Sequence, residues 1–378
     1  MIRSSLESKL YILHRAPTIE KSHPPSSGAG STRSVPAKLL YGAVFVALIA
    51  VLLLVYRTRG SSFRWDLLET TIKHADWRWL TASIFLTLLT AIGRALRWQV
   101  MLRPFGRTLG VSKLTSDTAI GLAAVVFLGR AGEVIRPYLI ATHTGLPLSS
   151  QAAVWLLERV LDLVAVLLIC AYALTRLSAI EPGVHKALTA GGYSLALGAA
   201  LALILLLAFL DPAGRAQRRI LSSLAFLPEH AQERAGRMLG AFAQGAQNLG
   251  QFQSLILLVC YTSLEWAIIV AGVFTTLHAF SDAAGLGISD ALILLAFSAL
   301  GSLVQIPGVG GGMQAALIVA LTKIYRLPLE AATAIAFAVW LVGTIVTVVF
   351  GLACAFHQGL NWSKLKLLST KQILDTEA

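Results

Sequence analysis

Two short runs of this 378-residue chain bring acids and bases close enough to act on one another: Gly129-Arg130-Ala131-Gly132-Glu133-Val134-Ile135-Arg136-Pro137 and Glu158-Arg159-Val160-Leu161-Asp162. Both lie in apolar sequence. An ionisable group at bilayer depth costs about 2.5 to 3.5 kcal/mol, so the six left unpaired would cost on the order of 15 to 20 kcal/mol, comparable with the stability of a whole domain. They must therefore be paired or hydrated. Arg130, Arg136 and Arg159 balance Glu133, Glu158 and Asp162, and the three-residue spacings Glu133 to Arg136 and Arg159 to Asp162 let helical neighbours meet. Glu158 and Asp162 share a helix face. Two readings stand: a neutral ion network that only fixes packing, or a polar track for a substrate headgroup or a proton.

Arg94 and Arg97 lie near the inner end of an apolar run, where they either snorkel to the headgroups or turn inward and supply the positive excess a phosphate needs. Glu265 stands alone midway along another run and needs a partner, as a packing residue or as a proton-coupling one. The block Pro307-Gly308-Val309-Gly310-Gly311-Gly312, followed by Met313-Gln314, lets backbone N–H groups converge into an anion-binding nest ahead of a half-helix. The same block also reads as a hinge or packing element.

The elements that position these groups follow from composition. Hydrophobic residues make up 56% of the chain, charged residues only 13%, and the mean hydropathy is +0.72. A soluble protein carries roughly 25% charged residues, so this is an all-helical integral membrane protein. A bilayer core needs roughly 20 apolar residues per helix. Six segments qualify, at 39–56, 79–101, 151–176, 191–210, 253–280 and 329–356. Two more apolar stretches, 115–140 and 289–325, are broken by Gly and Pro, which a helix does not continue through cheaply. They are expected to be re-entrant helical hairpins.

Loop charge agrees with that count. With a cytoplasmic N-terminus, the inner segments carry Arg103, Arg107 and Lys113, then Arg215, Arg218, Arg219, Arg234 and Arg237, then Lys364, Lys366 and Lys371, while loop 281–288 has no Lys or Arg. Residues 57–78 dissent, facing outward with Arg57, Arg59, Arg64, Lys73 and Arg78. Residues 1–38 read as a basic disordered tail, 39–357 as the transmembrane domain, and 358–378 as a cytoplasmic tail. Within the domain, 211–252 read as a cytoplasmic amphipathic connector. Leu146-Pro147-Leu148 returns as Leu327-Pro328-Leu329, 181 residues on. Either shared composition explains the echo, or the two halves form an inverted repeat.

Other classes lack support. The formal charge of +12 is spread between apolar runs as topology determinants, so no nucleic-acid partner is expected. Cys170, Cys260 and Cys354 lie in apolar runs and are odd in number, which gives no disulfide framework. No metal-ligand spacing, nucleophile elbow or nucleotide motif occurs, so no cofactor, metal or catalytic residue is assigned.

The runs at 129–137 and 158–162 and the glycine block at 307–312 resemble the lysylphosphatidylglycerol synthase transmembrane-region family, the flippase-like proteins, over roughly residues 40–355. The resemblance implies a multi-helix membrane fold that moves lipids between leaflets. Arg130, Glu133, Arg136, Glu158, Arg159 and Asp162 would then line the lipid path, and Pro307 to Gln314 its other wall. Family members often carry Glu soon after the glycine block, where this chain has Gln314. The chain runs about 20 residues past the last span, so the aminoacyltransferase domain of full-length synthases is not expected here. The leading expectation is a multi-pass inner-membrane translocase, both termini cytoplasmic, for an anionic phospholipid or isoprenoid-linked precursor. The alternatives are a membrane-embedded lipid-modifying enzyme with Glu158 or Asp162 as base, and a non-transporting partner of a synthase or glycosyltransferase.

Overall fold

The computed structural model describes residues 63–106, 109–177, 182–209, 214–223, 228–229, 231–233, 236, 240, 252–306 and 310–359. The expected span at 39–56, the N-terminal tail, the C-terminal tail beyond Gly359 and Pro307–Val309 lie outside them. The described chain is helical throughout, apart from a two-residue antiparallel ribbon pairing Gln305 with Gly311 and Ile306 with Gly310. Its helices are α1 (Trp65–Lys73), α2 (Trp77–Leu102), α3 (Val111–Leu128), α4 (Ile135–Thr144), α5 (Leu148–Arg176), α6 (Pro182–Phe209), α7 (Arg215–Ser223), α8 (Phe252–His278), α9 (Ile288–Gly301), α10 (Gly312–Lys323) and α11 (Leu329–His357). Helices α2, α6, α8 and α11 are long and apolar enough to cross a membrane. At 29 residues α5 is long enough too, and it carries Glu158, Arg159 and Asp162 at its middle.

Residues 111–144 would also span by length and hydropathy, but they fold back on themselves. A 3-10 turn, Gly129–Val134, separates α3 from α4. Asp117 near the start of α3 meets His143 near the end of α4 at 2.8 Å. Ile120, Ala124, Ile135 and Leu139 share one apolar cluster between the two arms. The second broken stretch does the same. Gly301 and Gly312 lie so close that a Cβ on either would strike the other's backbone carbonyl, which only glycine permits. At the open end Leu286, ahead of α9, and Tyr325, after α10, pack on one apolar cluster. Both arms of this hairpin start on a local cap: Gln314 Oε1 accepts from the Gly311 N–H at 2.7 Å ahead of α10, as Asp290 Oδ2 accepts from the Gly287 N–H at 2.8 Å ahead of α9.

The element order, long helix, hairpin, long helix, occurs twice, as α2 to α5 and α8 to α11. Pro147 and Pro328 hold equivalent N-cap positions with nearly the same backbone angles, φ −62 and ψ 144 against φ −54 and ψ 146. The halves run in opposite directions. Asp76 N–H donates to Ala279 O, and Ser83 reaches Gly272 and Thr276, so α2 and its counterpart α8 pack antiparallel. Each hairpin's first arm then packs antiparallel on the other half's last helix. Ala119 of α3 touches Gly351 of α11, with Ser116 and Asp117 bonded to Gln358. Likewise Ser289 of α9 bonds Tyr172 of α5, above a cluster of Cys170, Ala173, Ile293 and Ala296. This is the inverted repeat that the Leu-Pro-Leu echo left open.

Residues 63–78 of the charged loop that dissented carry helix α1, while Arg57 and Arg59 lie outside the described residues. The helix is short, and the Arg64 N–H at its start donates to Glu330 of α11 at 2.9 Å, with Trp65 and Ile72 exposed seven residues apart on one side. Trp77 and Trp79 follow it, so an aromatic belt of the kind found at membrane interfaces marks this end. Arg64 also donates to Asp66 at 3.0 Å and holds its carboxyl below the ordinary range. Within the expected connector, α7 exposes Arg215, Arg218 and Arg219 and turns Ile220 onto the cluster of Leu206 and Leu258. Of the apolar residues that would form the greasy face of that connector, Leu221 lies on α7, and Leu224, Leu239 and Phe242 lie outside the described residues.

Candidate functional site

Four helices contribute to one buried ion cluster. Helix α5 presents Glu158 and Asp162 on the same face, one turn apart, toward α2. Both Glu158 oxygens are taken: Oε1 accepts from Arg136 Nη1 at 3.1 Å, and Oε2 accepts from Arg136 Nη2 and from the Trp98 indole N–H at 3.0 Å. The Arg136 guanidinium also lies over the Trp98 ring, 4.9 Å from its centroid. Arg97, fully buried, donates through Nη1 to Asp162 at 2.8 Å and to Glu265 at 2.7 Å, and through Nη2 to the Glu158 carbonyl at 3.4 Å. Arg94 places Nε 2.8 Å from Glu265 Oε1, an ion pair without an aligned hydrogen bond. Arg159 completes the set, 3.4 Å from Asp162 and 3.6 Å from Glu158.

The membership differs from the spacing argument. Arg136, Glu158, Arg159 and Asp162 come together as expected; Arg130 and Glu133 do not join them. Glu133 is not the partner of Arg136, because residues 129–134 form a 3-10 turn at the hairpin tip and not the α-helical face that a three-residue ion pair presumes. Arg130 is exposed there, Glu133 is half-buried, and neither makes an ion pair among the described residues. Arg94 and Arg97 turn inward and do not snorkel, since Glu265 of the antiparallel α8 stands opposite them. The balance is reached with other members than expected: Arg94, Arg97 and Arg136 face Glu158, Asp162 and Glu265 inside, and Arg159, 36% exposed, adds a fourth guanidinium at the edge. Trp98 was not singled out by sequence, although a tryptophan beside Arg97 inside an apolar run needs a partner for its N–H.

Arg94 connects the cluster to space. A partly open cavity of about 270 Å³ lies between α2, α3, α8, α9, α10 and α11, and Arg94 is the one charged residue among those described that line it. Ser83, Thr87, Thr90 and Arg94 reach it from a single face of α2, at helical spacings of four, three and four residues. A second, small void of about 10 Å³ adjoins it between α2, α3 and α11, lined by Ala91, Leu122 and Phe350 among others. The glycine block stands at the tip of hairpin two. Its described part, Gly310 to Gly312, leads into Met313, which lines the cavity, while Gln314 is buried as the cap of Gly311. That cap occupies an amide the expected anion nest would use. Pro307 and Gly308 lie outside the described residues. No group of three His, Cys, Asp or Glu residues fit to hold a metal occurs among the described residues.

The family profile described as "Lysylphosphatidylglycerol synthase TM region" matches residues 39–351. No curated protein matches the chain.

Proposed function

The chain belongs to the lysylphosphatidylglycerol synthase transmembrane-region family, and from that premise we propose that it moves an anionic lipid between leaflets by way of the cavity beside Arg94. The observation that carries this reading is the position of Arg94. It joins the ion cluster to a cavity that holds no acid among its described lining residues, and it shares its one carboxylate, Glu265, with Arg97, so its charge is only partly met inside the protein. A phosphate at the cavity wall would balance that charge, and guanidinium suits it because the planar fork binds phosphate bidentately. Arg97, Arg136, Glu158, Asp162 and Glu265 then act as a frame that holds Arg94, while the tails stay in the surrounding lipid.

The geometry weighs against the enzyme alternative. Both oxygens of Glu158 are bound by Arg136 and Trp98, and Asp162 is held between Arg97 and Arg159, so neither is placed to take a substrate proton. In the proposed setting the bilayer is the inner membrane and both termini are cytoplasmic, with α7 and its arginines on the cytoplasmic side. The cargo is a phospholipid or an isoprenoid-linked precursor supplied by a membrane synthase or glycosyltransferase.

The test is reconstitution into vesicles with a tail-labelled phosphatidylglycerol and a membrane-impermeant quencher. Wild-type protein is expected to expose the inner-leaflet label, and Arg94→Gln to slow exposure at least about tenfold while eluting as a folded species. An unchanged rate in that variant would overturn the reading.

A further inference from the structure

The chemistry of the cavity wall restricts what kind of headgroup fits. Besides Arg94, its polar lining is made of hydroxyls: Ser83, Thr87 and Thr90 from α2, Thr276 from α8, Ser298 from α9 and Thr347 from α11. Their protons are already used inside the protein. Thr87 donates to the Ser83 carbonyl, Thr90 to Thr87, Ser298 to Leu294 and Thr347 to Gly343, at 2.6 to 2.9 Å. Ser83 and Thr276 share one hydrogen bond at 2.8 Å and both reach the Gly272 carbonyl, so both of their protons are used whichever of the two donates. A hydroxyl in this state has only lone pairs left for an incoming group.

A ligand seated here must therefore bring an anion for Arg94 and hydrogen-bond donors for the oxygens. Donors come as ammonium groups or as neutral hydroxyls. An ammonium would enter a site whose one charged lining residue is a cation, with no carboxylate among the described liners to offset its desolvation. Neutral hydroxyls carry no such cost. The volume of about 270 Å³ lies just below the roughly 300 to 1,000 Å³ of pockets for drug-sized ligands, so it takes a headgroup and leaves the tails outside.

We infer that the lipid carried is a phosphodiester with a neutral, hydroxyl-rich headgroup, a glycerol or sugar phosphate, and that aminoacyl and other ammonium headgroups are selected against. This rests on the proposed role of the cavity in translocation. The experiment uses the full chain in vesicles with three lipids that share one labelled tail and differ only in headgroup: phosphatidylglycerol, lysyl-phosphatidylglycerol and phosphatidic acid. Phosphatidylglycerol is expected to cross at least about tenfold faster than either of the others. Combining Thr87→Val with Ser298→Ala, which removes two acceptors at nearly constant volume, is expected to bring the ratio of phosphatidylglycerol to phosphatidic acid toward one. Equal or faster movement of lysyl-phosphatidylglycerol, or an unchanged ratio in the double variant, would overturn this inference and leave translocation standing. Failure of wild-type protein to move any of the three would overturn the proposed function itself.

Discussion

Val339 stands in α11 where Glu158 stands in α5, each eleven residues beyond an N-capping proline. Gly343 matches Asp162 in the same register, and both counterparts line the cavity. Where α5 places two acids that fill the space with ion pairs, α11 places an apolar side chain and a glycine that leave it open.

Two glycines of α11 separate space from contact. A Cβ at Gly343 meets nothing within 4 Å, whereas one at Gly351 would strike the Ala119 carbonyl and the Ala123 methyl of α3. Gly343→Ala is expected to stabilise by about 0.5 to 1 kcal/mol through the lower backbone entropy of the unfolded chain. Gly351→Ala is expected to destabilise by about 1 to 3 kcal/mol through overpacking. Thermal unfolding in detergent measures both, and shifts of the same sign would contradict the packing described.

Removing one partner from the ion cluster leaves a buried charge without its counter-ion. Glu158→Gln is expected to cost about 3 to 5 kcal/mol because Arg136 keeps its charge and loses its carboxylate. Adding Arg136→Met to it removes that charge while Gln still accepts from the Trp98 N–H, and roughly half of the loss should return. A double variant less stable than Glu158→Gln alone would show that Arg136 has another compensating partner.

The hairpin formed by α3 and α4 makes a topological prediction. Ser112 at the start of α3 and Thr142 at the end of α4 are both exposed. Cysteines at these positions, with Cys170, Cys260 and Cys354 replaced, should react with an impermeant thiol reagent from the same side of the vesicle. Labelling from opposite sides would mean that residues 111–144 cross straight through.

Much of this architecture can be read from residue type alone. Glycine and proline breaks mark both hairpins, since helix interruptions follow from local chemistry, and the acids of α5 announce a buried site by their cost in hydrocarbon. Partner choice is less legible. Glu133 sits three residues from Arg136, yet spacing presumes a helix type that the 3-10 turn does not supply. Arg97 and Glu265 are 168 residues apart and meet only because the halves pack antiparallel. The cavity leaves the faintest trace, its serines, threonines and glycines coming from separate helices and standing among Leu, Ile and Val. Its one signal is the line Ser83, Thr87, Thr90 and Arg94 along a single face of α2.

The most direct test fills the cavity without touching the ion cluster. Gly343→Phe projects a ring into open space at the cavity wall, so the variant should fold with a melting temperature close to that of wild type. In vesicles it is expected to slow the crossing of labelled phosphatidylglycerol at least about tenfold. A folded Gly343→Phe protein that moves the lipid at the wild-type rate would place the path elsewhere and contradict the role assigned to the space beside Arg94.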